Sequence, residues 1–221
     1  MKFKNIELRW LGHSGFLIEA ESLKTYIDPF KIDIDEPADI ILITHPHYDH
    51  CSIEDLRKIV KSGTIIVCPA DVQSKISKLD NEIELKILGV GETLSLGEIK
   101  IGAIPAYNLN KEFHRKSEEW LGYVLKIEDK VKSGVVIYHA GDTDLIPEMK
   151  KLSGKVDIAL LPVSGTYTMN SEEAAEAASV INPDIAVPIH YGNNIGSVRD
   201  AENFVELCRE KGIRAEILEK E

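Results

Sequence analysis

Ile40, Ile41, Leu42 and Ile43 form an unbroken apolar run with no polar side to offer water. Such a run fits a strand buried on both faces, so the fold needs a layer above and below a sheet. The run passes without a spacer into Thr44-His45-Pro46-His47-Tyr48-Asp49-His50-Cys51. Polar chemistry is therefore expected at the carboxyl end of that strand.

The flanking segments read as a β-rich chain that turns into β/α alternation. Apolar residues alternate at Ile6, Leu8, Trp10 and at Phe16, Ile18, Ala20, which predicts two strands joined around Leu11–Gly15, with Lys24–Ile27 as a third. Asp28-Pro29 ends that ladder, because proline has no N–H to give. Ser52 with Asp55 has the spacing of a helix N-cap and predicts a helix to about Lys61, stopped by Gly63. Thr64–Val67 reads as a strand and Pro69–Leu79 as helical. Glu84–Leu88, Thr93–Leu96 and Glu98–Ile104 read as strands, the last two joined at Gly97. Leu121–Ile127 and Val135–Tyr138 form a predicted hairpin. Strands Ile158–Leu161, Ile185–Val187 and Ala215–Leu218 then alternate with helices Leu145–Leu152, Ser171–Val180 and Val198–Lys211, Asn170 with Glu173 capping the second helix. Both halves run from hairpins into alternation, which predicts an α/β (α+β) fold of two mixed sheets covered by helices. With 221 residues, no tandem repeat and no linker composition, the expectation is one domain over 1–221.

Charge narrows the partners. Lysine and arginine number 26 against 37 acidic residues, a net charge of -11, with no basic stretch to offset it on a polyanion. Long nucleic acids and anionic membrane surfaces are therefore not expected partners. No apolar run reaches the roughly 18 residues of a membrane span, and Met1–Asn5 has no apolar signal core, so a cytoplasmic protein is expected. Cys51, Cys68 and Cys208 show no C-x-x-C spacing and read as reduced thiols.

Three of the seven histidines fall within six residues, in the pattern His45-x-His47-x-Asp49-His50. On a loop continuing a strand, residues two apart project to similar sides, so His45 and His47 can grip one ion while Asp49 and His50 face a second. Pro46 keeps the segment out of a helix, and the helical zinc spacing H-E-x-x-H is absent. The longest irregular segment, Pro105–Glu119, carries Tyr107, Asn108 and His114, and a loop of that length is more often functional than accidental. Phosphate-loop, dinucleotide and G-x-S-x-G patterns are absent.

At this point the chain resembles the metallo-β-lactamase superfamily. The matching pieces are Gly12-His13-Ser14, Ile27-Asp28-Pro29-Phe30, Thr44–His50, Tyr138-His139-Ala140-Gly141-Asp142-Thr143 and Pro188-Ile189-His190-Tyr191-Gly192. They are most similar to the compact hydrolases related to L-ascorbate-6-phosphate lactonase. The resemblance implies a four-layer αββα sandwich with two ions, zinc or manganese, held by His45, His47, Asp49, His50 and His190, and bridged by Asp142. It also implies a hydroxide generated at the metal that attacks a small substrate, with Asp49 orienting it. The metal charges outweigh those of Asp49, Asp142 and the hydroxide, so an anionic lactone, phosphodiester or other ester is expected.

One departure stands out. The family supplies a further first-ion histidine after the strand ending near Ile104, where this chain has Tyr107-Asn108. Either Asn108 or His114 takes the role, or the first site is weak or empty without substrate and His114 is exposed or contacts substrate; His114, Tyr107 or Tyr191 would stabilise the anion or protonate the leaving group. Tyr107, Asn108, Thr166 and Tyr191 are the expected substrate contacts. His13 reads as support for the site, and Asp28 as a partner of backbone or a ligand histidine. Two other readings use the same residues: an iron protein of redox or oxygen chemistry, and a metal-binding sensor without turnover. Family analogy allows a homo-oligomer.

Overall fold

The structure is a computed structural model that describes residues 1–79, 82–128, 134–192 and 195–221. The chain divides into two compact units, Met1–Gly89 with Glu219–Glu221, and Val90–Leu218. Each unit carries one mixed sheet flanked by helices, the expected fold class.

The first unit's seven strands lie in chain order: β1 (Lys2–Phe3), β2 (Ile6–Gly12), β3 (Gly15–Ala20), β4 (Leu23–Ile27), β5 (Ile40–Leu42), β6 (Ile65–Cys68) and β7 (Glu84–Ile87). β1 to β4 pair antiparallel as hairpins, and β4 to β7 pair parallel. Parallel neighbours need crossovers. Helix α1 (Ile53–Ile59) supplies one, and a 3-10 turn at Ala70–Val72 with the short α2 (Gln73–Ile76) supplies the next. All of β5 is buried, as its unbroken apolar run requires. Leu11, Leu17, Tyr26, Ile41, Leu56, Ile59, Ile66 and Ile76 share one core, and burying each such side chain contributes about 1.5–3 kcal/mol.

The second unit's sheet is ordered β13-β12-β11-β10-β9-β8. Its strands are β8 (Thr93–Leu96), β9 (Ile99–Pro105), β10 (Leu121–Ile127), β11 (Val135–His139), β12 (Ile158–Pro162) and β13 (Ile185–Ile189). The first four form an antiparallel meander and the last three pair parallel. Helix α3 (Ser171–Ile181) crosses from β12 to β13, and α4 (Val198–Glu210) packs on it. The predicted Asn170–Glu173 capping box opens α3, and Ala174, Ala175, Ala177 and Ala178 are buried, small enough for close packing. Among the described residues no helix is long and apolar enough to cross a membrane.

Four expectations need correction. α1 ends at Ile59 and not Lys61, because Val60 is already extended and the Lys61 N–H donates to Thr64 Oγ1. Pro69–Leu79 is not one helix but the 3-10 turn followed by α2. Leu145–Leu152 holds only a 3-10 helix from Pro147, since Ile146 is extended and proline fixes the first turn. Ala215–Leu218 is not a strand: Ala215 makes a lone bridge to Ala186, and residues 219–221 belong to the first unit, where the Glu221 N–H donates to the Trp10 carbonyl.

Asp55 ties the start of α1 to the loop after β4. Its carboxylate accepts from the backbone N–H of Lys31 (2.8 Å) and Ile32 (3.2 Å), from Ser52 Oγ (2.6 Å) and from Lys58 Nζ (2.8 Å). Burial alone would raise its pKa, but the hydrogen bonds from Lys58, Ser52 and the Lys31 backbone outweigh that and hold it below the ordinary value. A depressed folded-state pKa gives stability that is present above the unfolded value and lost as pH falls through the folded one. Asp55→Asn should therefore cost about 1.5–3 kcal/mol at neutral pH in urea unfolding. The gap between variant and wild type should close in acid, below the ordinary carboxylate range.

Candidate metal centre

In the first unit the histidine loop leaves β5 at Ile43, and a buried carboxylate sets its geometry. Asp28, at the end of β4, is fully buried and accepts three hydrogen bonds: from the Thr44 N–H (2.8 Å), Thr44 Oγ1 (2.6 Å) and His50 Nδ1 (2.7 Å). Because the Thr44 hydroxyl proton goes to Asp28, its oxygen accepts from His45 Nδ1 at 2.9 Å. Both imidazoles thus carry their proton on Nδ1 and present a bare Nε2. The bare His45 Nε2 lies 2.9 Å from His47 Nδ1. Two nitrogens sharing one zinc ion at its usual bond lengths would sit about 3.3 Å apart, close to this spacing. Asp49, nearly buried, has Oδ2 at 3.1 Å from His13 Nε2. The ligating atoms of His13, Asp49 and His50 all lie within 4.8 Å of one another.

In the second unit, Asp142 sits in the turn after β11. The turn is built by close approach: a Cβ on Gly122 of β10 would meet the Ala140 carbonyl at 2.7 Å and the His139 carbonyl at 2.8 Å. The buried His139 accepts the Gly141 N–H at 3.1 Å. Asp142 Oδ2 lies 3.0 Å from His190 Nε2 and 3.4 Å from His114 Nε2. His190 follows β13, and its Nδ1 lies 2.9 Å from Ser164 Oγ, which is 3.0 Å from Thr168 Oγ1. His114 Nδ1 donates to the Tyr167 carbonyl at 3.1 Å. Both histidines turn Nε2 toward Asp142.

In each unit imidazole nitrogen faces carboxylate oxygen. His45 and His50 in the first unit, with Asp49 in the same loop, and His114 in the second, 3.4 Å from Asp142, are each 3% exposed or less and hold Nδ1 as the donor, which turns Nε2 to the ligating side. Imidazole nitrogen with carboxylate oxygen is a donor set for divalent metals, so the residues fit a metal ion.

The long loop does bring His114 to Asp142. Asp144 accepts from the Leu109 N–H (2.8 Å) and pairs with Lys111, while the Asn108 N–H donates to the His114 carbonyl (2.8 Å). Asn108 Nδ2 is committed to the Tyr167 carbonyl at 2.7 Å, and its buried Oδ1 has no hydrogen-bond partner among the described residues. The other named residues sit as follows. Tyr107 is buried, and its hydroxyl donates to Glu148 (3.0 Å) and accepts from Lys116 (3.2 Å). Thr166 is exposed, and neighbouring Tyr167 stacks edge-on against Phe113. Tyr191 is buried, which pushes its hydroxyl up to about 12 and keeps it protonated at neutral pH. Cys51 packs in the core, its thiol pushed up to about 11 by burial. Sequence reasoning missed Thr44 and Ser164; Thr44 had a signal in standing beside His45, whereas nothing local marks Ser164.

His13, Asp28, His114 and His190 have φ of 53°, 43°, 51° and 59°, in the left-handed region that non-glycine residues rarely enter, and all four are buried, whereas Lys4, Glu21, Lys31, Glu119 and Asn182 share the conformation but are exposed.

Comparison with known proteins shows the family. Residues 7–190 match the family described as the beta-lactamase superfamily domain. A UPF0173 metal-dependent hydrolase of Thermococcus kodakarensis is 35% identical over 218 residues, covering 93% of each chain. The crystal structure of a Parabacteroides distasonis protein described as a metal-dependent hydrolase superposes with a TM-score of 0.85 at 32% identity, over 100% of this chain and 97% of that one. The diiron β-hydroxylase CmlA of Streptomyces venezuelae shares the fold alone, with a TM-score of 0.74 at 18% identity over 97% of this chain and 53% of its own.

Two outcomes are expected. Asp28→Asn should weaken metal binding about 10–100-fold in chelator competition, because the His45 and His50 tautomers lose their anchor. Gly122→Ala should lower unfolding stability by about 1–3 kcal/mol, since the added methyl meets backbone that has no room to move.

Proposed function

This chain belongs to the beta-lactamase superfamily as a metal-dependent hydrolase, and from that premise we propose that it cleaves a small anionic ester, lactone or phosphodiester with two divalent ions. In this reading His45 and His47 would hold one ion and Asp49, His50 and His190 the second, with Asp142 serving both. His114 completes the first shell in place of the family's usual histidine, with Asn108 Oδ1 as the alternative donor. The observation that carries the reading is the shared orientation of His45, His50 and His114, each with Nδ1 held as a donor by Thr44, Asp28 or Tyr167 so that Nε2 is turned to the ligating side.

When bound, zinc or manganese would make hydroxide available near neutral pH and polarise the bond to be cleaved. The chain's own residues do the rest. Asp49 orients the nucleophile through whichever oxygen His13 leaves open. Asn108, Thr166 and Tyr191 contact substrate, with Tyr191 as a neutral hydroxyl donor. Tyr107 holds the loop through Glu148 and Lys116 and lends its backbone to the Asp142 turn, where its N–H donates to Thr143 Oγ1. The proposal includes a cytoplasmic protein working as one domain on small molecules and not on nucleic acid, on the ground of its charge of -11. A lactone is included for the likeness to ascorbate-6-phosphate lactonase, and a homo-oligomer by family analogy.

The test is metal content by mass spectrometry on protein purified without added metal, joined to hydrolysis of a panel of lactones, phosphodiesters and thioesters. About two equivalents of zinc or manganese with turnover are expected, and Asp49→Ala should lower kcat by 100-fold or more, on the order of one lost general-base interaction. Iron without turnover would move the protein to redox or oxygen chemistry. Metal binding without any turnover would leave a sensor.

A further inference from the structure

His13 is the one histidine of the first unit's cluster to which the reading above assigns no ion, and its surroundings are unusually constrained. It lies between β2 and β3 in a turn of two left-handed residues, Gly12 (φ 98°) and His13 (φ 53°). Glycine or asparagine ordinarily fills such a position, because a larger side chain strains the backbone there. The strain is held in place from several sides. The Trp10 indole N–H donates to the His13 carbonyl at 3.1 Å. Gly15 closes the turn so tightly that a Cβ would stand 3.1 Å from the Asp28 carbonyl and 3.2 Å from that of Gly12. The imidazole, 1% exposed, is wedged edge-on between the rings of Phe30 (centroids 5.8 Å) and His50 (5.5 Å). All of this delivers one atom, Nε2, to Asp49 Oδ2 at 3.1 Å.

A carboxylate oxygen only accepts, so His13 Nε2 carries the proton and donates it. We propose that His13 is a positioning residue for Asp49: its Nε2–H occupies Oδ2 and turns Oδ1 toward the metal and the nucleophile. The inference rests on the metal-hydrolase reading above and goes beyond it by naming the group that decides which carboxylate oxygen is offered. A carboxylate with neither oxygen engaged rotates and can chelate through both; one pinned through Oδ2 presents a single, directed lone-pair site. His13 acts through Asp49 and touches neither ion nor substrate.

The experiment uses the full chain as wild type, His13→Asn and His13→Gln. Asparagine tolerates the left-handed backbone but is too short to reach Asp49, whereas glutamine keeps an amide N–H at the imidazole's reach. Three readouts are taken: zinc affinity by chelator competition, the visible spectrum of cobalt-substituted protein, and imidazole nitrogen NMR of the metal-free chain. Metal-free wild type should show His13 protonated at Nε2. His13→Asn should bind zinc about 10–100-fold more weakly with a shifted cobalt spectrum, and His13→Gln should stay within about threefold of wild type. The proposal is overturned if His13→Asn holds zinc as tightly as wild type, or if the proton is found on Nδ1. It is also overturned if His13→Gln loses cobalt band intensity as His13→Asn does, since His13 would then be a ligand. Should His13→Asn fail to fold, the tautomer readout decides. None of these readouts needs turnover. A chain that meets them but hydrolyses nothing sinks the functional reading and leaves His13 in its role; a hydrolase indifferent to His13→Asn does the reverse.

Discussion

A single buried carboxylate organises the first unit's chemistry. Asp28 has no exposed surface and, left alone, an ionised group there would be strongly unfavourable. Three donors, two from Thr44 and one from His50, make it tolerable and in the same act fix those donors. The need to satisfy one charge thereby sets the backbone at the end of β5, the hydroxyl of Thr44 and the tautomers of two imidazoles. Charge-assisted hydrogen bonds of this kind are about twice as strong as neutral ones, which suits them to holding a loop that no helix or sheet ladder supports.

The second unit reaches the same result by other means. There a neutral acceptor does the work: the Tyr167 carbonyl for His114. The two solutions share one chemical outcome, an imidazole oriented through an Nδ1 donor with Nε2 on the other side. That outcome, reached three times with unrelated partners, is hard to explain by packing. A structural histidine needs any hydrogen bond at either nitrogen, not the same nitrogen each time.

How much of this was legible in the sequence depended on range. The Ile40–Ile43 run, the hairpins and the capping pair Asn170 and Glu173 are local, and each stands where periodicity and capping placed it. The histidine loop was legible because its spacing is itself local. Ala215–Leu218 misled because it has the alternation of a strand but only Ala186 beside it to pair with. Pro147 misled in a subtler way, since it marks a helix start whether the turn that follows is α or 3-10. Ser164 carries no signal at all: its meaning lies in a histidine 26 positions away. The role of His114 was left open for the same reason, because contacts distant in sequence, among them the Asp144–Lys111 pair and the Tyr167 carbonyl, bring the loop to Asp142.

The left-handed backbone at His13, Asp28, His114 and His190 sets the scaffold and the chemistry at odds. At each of these positions glycine would suit the backbone better than the residue present, so the architecture would gain stability from losing the side chains that line its two polar clusters. Lys4, Glu21, Lys31, Glu119 and Asn182 share the torsion but are exposed, where strain costs no buried polar group. A left-handed backbone that also buries an ionisable side chain carries both penalties at once, and among the described residues the four that carry both all stand in the clusters.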